Sequence, residues 1–112
     1  MQVLAAADFQ DGRLQRTGRW VVDFSADWCP FCHQFLPAFH ALEGRLDARL
    51  AIGDVTDLAS PLWETFRLDA VPTVVVFEEG HPSVRLDAVL GEGLTPAQLL
   101  AFTEKFRNVR GP

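Results

Sequence analysis

Two cysteines, the only ones in the chain, stand in the segment Cys29-Pro30-Phe31-Cys32, directly after the run Val21-Val22-Asp23-Phe24 and ahead of a helical pattern. Sulfurs at i and i+3 on the first turn of a helix share one face, close enough to form a small disulfide ring that opens and closes with little rearrangement. The first sulfur also lies at the helix start, where unpaired N–H groups and the macrodipole favour a thiolate, the attacking species in disulfide exchange. The spacing therefore predicts thiol–disulfide chemistry, with Cys29 as nucleophile and Cys32 as resolving thiol. Zinc is a poorer fit, because a structural site needs four ligands and only His33, His40 and His81 are available to complete one. No metal is expected. Cys29-Pro30-Phe31-Cys32-His33 also meets the C-x-x-C-H pattern of covalent haem attachment. That chemistry needs an exported chain and usually a second axial ligand, whereas the only methionine is Met1.

Asp23 is the second chemical feature. A carboxylate inside an apolar strand is costly to bury without a partner, and burial raises its pKa. Such a group is a poised proton carrier for the thiols. His33, one turn beyond Cys29, is placed to steady a thiolate there. His40, His81 and Trp63 read as surface or packing residues.

Alternating strands and helices must position these groups. Val3 to Ala6 is a short strand, Asp8 to Arg16 a short helix or irregular segment, and Trp20 to Ser25 a buried strand. Phe35, Phe39, Leu42, Leu46 and Leu50 recur at helical spacing, so the pattern predicts a helix from about Cys29 towards Arg49, kinked at Pro37. Leu50 to Val55 is the next strand, and Ser60-Pro61 opens a short helix carrying Leu62, Trp63 and Phe66. Thr73-Val74-Val75-Val76-Phe77 is the clearest strand; Glu78 to Pro82 turns it into a hairpin with Ser83 to Leu90. Thr95-Pro96-Ala97-Gln98 has the capping-box form and opens a last helix with Leu99, Phe102 and Phe106 inward.

The 112 residues, 48% of them hydrophobic and 22% charged, suit one domain over 1–112 with a sizeable core and no structural disulfide. A net charge of −5 argues against nucleic acid or an anionic membrane surface as partner. No stretch is long enough to span a membrane. The opening residues lack a basic n-region and their apolar run stops at Asp8, which favours the cytoplasm; an extracytoplasmic chain trimmed of its leader has the same appearance.

With motif and elements in this order, the chain resembles the thioredoxin superfamily nearly end to end. The likeness rests on Val22-Asp23-Phe24-Ser25-Ala26-Asp27-Trp28-Cys29 leading into the motif, on Pro37 eight residues after Cys29, on Val71-Pro72-Thr73 before the valine-rich strand, and on Gly91 before the last helix. It implies an α/β thioredoxin fold, a central mixed sheet of four or five strands with helices on both faces. It implies a protein-disulfide oxidoreductase whose redox group is the Cys29–Cys32 couple itself, with no bound cofactor and Asp23 as the proton carrier. Trp28, Pro30 and Phe31 would form a substrate rim with Val71 and Leu90. The Val71-Pro72-Thr73 loop, its proline cis, and Gly91 would meet an extended segment as an added strand. The partners implied are disulfide-containing proteins and a protein electron donor such as a thioredoxin reductase or a membrane thiol carrier, with the chain itself a monomer. The chain departs from thioredoxins proper in the dipeptide Pro30-Phe31 and in having no Lys at Ile52 or Gly53. Two rival readings are a glutathione-dependent, glutaredoxin-like reductase and a thioredoxin-fold interaction module. Asp27-Trp28 before the motif and the order Val-Pro-Thr disfavour the first, and retention of both cysteines disfavours the second.

Overall fold

In the computed structural model, which describes residues 1–108, the chain runs β1 (Gln2–Leu4), a 3-10 turn (Ala6–Asp8), β2 (Phe9–Gln10), β3 (Arg13–Leu14), β4 (Arg19–Ser25), α1 (Pro30–His40), β5 (Arg49–Asp54), α2 (Leu62–Thr65), β6 (Thr73–Glu78), β7 (His81–Asp87), α3 (Pro96–Thr103) and a 3-10 turn (Glu104–Phe106). Five strands form one mixed sheet in the order β1-β5-β4-β6-β7. β4 pairs in parallel with β5 and antiparallel with β6, so both of its edges are satisfied. Its run Trp20 to Phe24 is buried throughout, as expected of a central strand covered on both faces.

Side chains alternate across β4 and sort into two cores. Val22 and Phe24 meet Leu62 and Phe66 around α2, together with Val75 and Phe77. Val21 faces Phe35 and Phe39 of α1, Leu99 of α3 and Val74 and Val76. Asp23 shares Val21's side of the strand and lies across from Ile52 and Val74. Helices therefore cover both faces of the sheet.

Three sequence expectations need correction. α1 ends at His40 and does not reach Arg49. The Ala41 N–H turns back to the Phe39 and Pro37 carbonyls, and Gly44 adopts φ +80°, breaking the helical path. Leu42 and Leu46 stay buried all the same, carried inward by turns. The segment from Asp8 to Arg16 holds the β2–β3 hairpin, closed by Asp11 (φ 52°) and Gly12 (φ 75°), the positive-φ pair of a tight two-residue turn. It delivers the Phe9 ring against Phe24, Phe66 and Phe77 at centroid distances of 5.4–5.8 Å. β7 starts at His81 and stops at Asp87, short of Leu90, while Glu79 and Gly80 alone make the turn before it.

The cap of α3 follows the sequence, whereas α2 takes Pro61 as its N-cap with Ser60 one residue ahead. Ser60 Oγ accepts from the Leu62 N–H at 3.3 Å, and Thr95 and Gln98 cap α3 reciprocally at 2.8 and 3.1 Å.

Gly53 in β5 leaves room for the Phe24 ring: a Cβ there would sit 2.6 Å from Phe24 Cδ1 and 3.1 Å from Val22 Cγ1. Gly53→Ala is therefore expected to destabilise the fold by about 1–3 kcal/mol through overpacking, read as a lower urea midpoint at unchanged m-value. A neutral result would show that the phenylalanine cluster yields freely.

Candidate redox site

Cys29 occupies the N-cap of α1 in extended conformation, with Pro30 at the first helical position, where a missing N–H costs nothing. Its Sγ accepts from the Cys32 N–H at 3.4 Å, and its thiol reaches the Val71 carbonyl at 3.6 Å. Cys32 is the deeper of the two, 1% exposed against 5%. Burial is the main cause that pushes its thiol up to about 12. Reduced Cys32 therefore holds its proton at neutral pH until something removes it. Both thiols are buried but unequal in place, Cys29 at the helix cap and Cys32 one turn further in.

Asp23 is fully buried, and neither carboxylate oxygen has a hydrogen-bond partner among the described residues. Ile52, its neighbour on β5, offers no charge. Burial alone holds its pKa well above the usual carboxylate range. Cys32 also borders an open hollow of about 340 Å³ that it shares with Ser25, His33, Ile52 and Asp54.

The structure divides the expected rim between exposed and buried residues. Trp28 is half-exposed, its indole N–H bonded to the Thr56 carbonyl at 2.9 Å and its ring stacked on Trp63 at 6.3 Å and 13°. Trp63 in turn donates to the Val55 and Asp57 carbonyls at 3.1 and 3.2 Å. Its role as a brace for Trp28 went unread in the sequence, where a lone tryptophan on a short helix carries no such signal. Leu90 and Gly91 are exposed, Gly91 with φ +82°. Pro30 is exposed too.

Val71, Pro72 and Thr73 are buried. The Val71–Pro72 peptide is cis, and the Thr73 hydroxyl ties back to the Ala70 carbonyl at 2.7 Å. What this loop offers outward is backbone. The Phe31 ring is only partly exposed and packs into the core against Gly93. The His33 ring hydrogen-bonds the Asp27 carbonyl, so it is engaged by the loop preceding the motif, away from the role expected of it at Cys29. No three His, Cys, Asp or Glu side chains among the described residues are grouped to hold a metal, and no described helix is long and apolar enough to cross a membrane.

A family profile described as Thioredoxin matches residues 1–105. The chain belongs to the thioredoxin family. Among its thioredoxin-family relatives, protein disulfide-isomerase 2-3 of Arabidopsis thaliana is 28% identical over 75 residues, covering 66% of this chain and 17% of that protein. DnaJ homolog subfamily C member 10 of Rattus norvegicus is 32% identical over 97 residues, covering 80% of this chain and 11% of that protein. The chain thus spans a small part of these longer relatives. A thioredoxin of Rhodospirillum rubrum is 27% identical over 82 residues, 72% of this chain and 79% of its own length. The solved thioredoxin of Plasmodium falciparum shares the fold at TM-score 0.75 and 22% identity, with 94% of this chain and 98% of that one covered.

In this thioredoxin-family site Asp23 sets a pH dependence of stability. An unfolded aspartate titrates near 3.8, while the buried one keeps its proton to higher pH. The native state then binds more protons than the unfolded state above the ordinary carboxylate range, so stability falls as pH rises through that window and levels once the native carboxyl has ionised. Asp23→Asn is expected to be the more stable protein at pH 7, with the gap closing as pH falls into the ordinary carboxylate range. Parallel urea titrations from pH 3 to pH 8 check this; a gap independent of pH would mean that Asp23 ionises as freely in the fold as outside it.

Proposed function

We propose that this thioredoxin-family protein is a thiol–disulfide oxidoreductase acting on protein disulfides. The observation that carries the reading is the inequality of the two sulfurs: Cys29 at the N-cap beside the Val71 carbonyl, Cys32 one turn further in with a thiol near 12. In the reductive direction the Cys29 thiolate attacks one sulfur of a substrate disulfide. A Cys29–substrate disulfide forms, and the other substrate sulfur leaves as a thiolate that takes a proton. Cys32 then loses its proton to the Asp23 carboxylate or to water and attacks Cys29 Sγ. The Cys29–Cys32 disulfide forms, the second substrate thiolate leaves, and two electrons have passed from the dithiol to the substrate.

Burial pushes the Cys32 thiol up to about 12, so a base must take its proton before it can resolve the intermediate, and Asp23 serves as that base once it has itself ionised. No bound cofactor enters the cycle. Electrons return through another dithiol or flavoprotein, a thioredoxin reductase or a membrane thiol carrier, and the domain works as a monomer. The exposed Trp28 and Leu90 supply an apolar rim for an unfolded or extended substrate, and the backbone beside Val71 and Pro72 receives that segment as an added strand.

Cys29→Ser is expected to abolish reduction of insulin disulfides, while Cys32→Ser accumulates mixed disulfides on Cys29 that non-reducing gels and mass spectrometry reveal. Iodoacetamide at neutral pH is expected to label Cys29 well before Cys32. Labelling of Cys32 first would reverse the assignment. The couple's potential is a separate check. Pro30 brings no N–H and Phe31 no polar group to the Cys29 sulfur, which leaves the 3.4 Å bond from the Cys32 N–H as its backbone support. The thiolate is then stabilised in part, and equilibration with glutathione is expected to give a value between about −270 mV and about −120 mV, nearer the former.

A further inference from the structure

A chain of contacts runs from the sulfurs to the turn after β7 and back to the redox motif. From Cys29 the thiol reaches the Val71 carbonyl at 3.6 Å; from that loop the Pro72 carbonyl accepts from the Ala88 N–H at 3.2 Å. Ala88 leads into a tight turn in which the Glu92 and Gly93 N–H groups both return to the Val89 carbonyl, at 2.9 and 3.1 Å. The turn lifts two apolar side chains into solvent, Val89 at 56% and Leu90 at 83% exposure. Its far end, Gly93, is buried with φ +73°, and a Cβ built there would lie 2.8 Å from Phe31 Cδ1 and 3.0 Å from Phe31 Cβ and Cγ. Phe31 is the residue before Cys32, so the contacts lead back to the redox motif itself.

We propose that Phe31 is a positioning residue for substrate: its ring seats the Val89–Gly93 turn and thereby sets where Leu90 stands relative to Cys29, selecting polypeptide disulfides flanked by apolar side chains. The proposal rests on the disulfide-oxidoreductase reading above.

Two features single out this contact. Gly91, in the same turn and also at positive φ, has nothing within 4 Å of its missing Cβ, whereas Gly93 is pressed against the Phe31 ring. The requirement for glycine at 91 is thus one of backbone conformation, and at 93 it is also one of space. The Phe31 side chain, moreover, is turned into the core and against this turn. It would act on substrate through Leu90, which stands 83% exposed in this turn.

The test is steady-state reduction of a peptide disulfide flanked by leucine, using the full chain and five proteins: wild type, Phe31→Ala, Phe31→Leu, Gly93→Ala and the double variant Phe31→Ala with Gly93→Ala. Phe31→Ala, which removes the seat, is expected to raise KM about threefold with kcat changed less than about twofold, and Phe31→Leu to restore most of the loss. Gly93→Ala, which wedges ring and turn apart, is expected to raise KM about fivefold, and much less in the Phe31→Ala background, because the strain of alanine at positive φ is common to both backgrounds and cancels in the comparison. An active wild type with unchanged KM in Phe31→Ala, or an additive double variant, overturns the role of Phe31 and leaves the oxidoreductase reading standing. A wild type that reduces no protein disulfide removes that reading and this proposal with it. If Gly93→Ala fails to fold, the Phe31→Ala and Phe31→Leu pair decides alone.

Discussion

Strand β4 is hydrogen-bonded on both edges and covered on both faces, and that double confinement governs what surrounds it. A strand so enclosed has no solvent face, so its alternation cannot place polar groups outside. Val21 and Asp23 must enter the α1 side, Val22 and Phe24 the α2 side. The same confinement ends abruptly after Ser25, where the chain leaves the sheet and caps α1 with Cys29. A rigid strand thus delivers a thiol to the start of a helix, and buries a carboxyl on the way with no partner to relieve it.

The site around Cys29 is built from loops, but these loops are not free to wander. Thr56 accepts the Trp28 indole on its carbonyl and donates nothing to chance with its hydroxyl, which receives the Asp27 N–H at 2.9 Å. Trp63 fixes the same segment from the other side. The cost of ordering this segment is therefore met within the fold, and the exposed face of Trp28 is held in place.

The parts of this arrangement legible in the sequence are those with a local cause. The two-residue spacing of the cysteines, the valine-rich strand and the Thr95–Gln98 cap each state their structure within a few residues. The length of α1 did not, because Leu42 and Leu46 keep helical spacing while lying in turns that bury them equally well; periodicity reports burial, and helices are not its only cause. Asp11-Gly12, the dipeptide of a tight hairpin turn, lies within a segment whose mixed composition reads as a short helix or irregular chain. The roles of Trp63, Thr56 and Gly93 had no local signature at all, since each follows from a tertiary neighbour distant in the chain. His33 shows the converse: helical geometry alone puts it near Cys29, yet a carbonyl in the preceding loop takes its ring.

The close approach of Phe31 to Gly93 bears on how such a sequence can change over time. A side chain at 93 must push the ring at 31 aside as well as adopt positive φ, so position 93 accepts change more easily when 31 is small, and 31 accepts a ring more easily when 93 is glycine. The two positions are therefore coupled in the substitutions they accept. The dipeptide between the cysteines, which looks open to free exchange when read alone, is constrained by a glycine far along the chain.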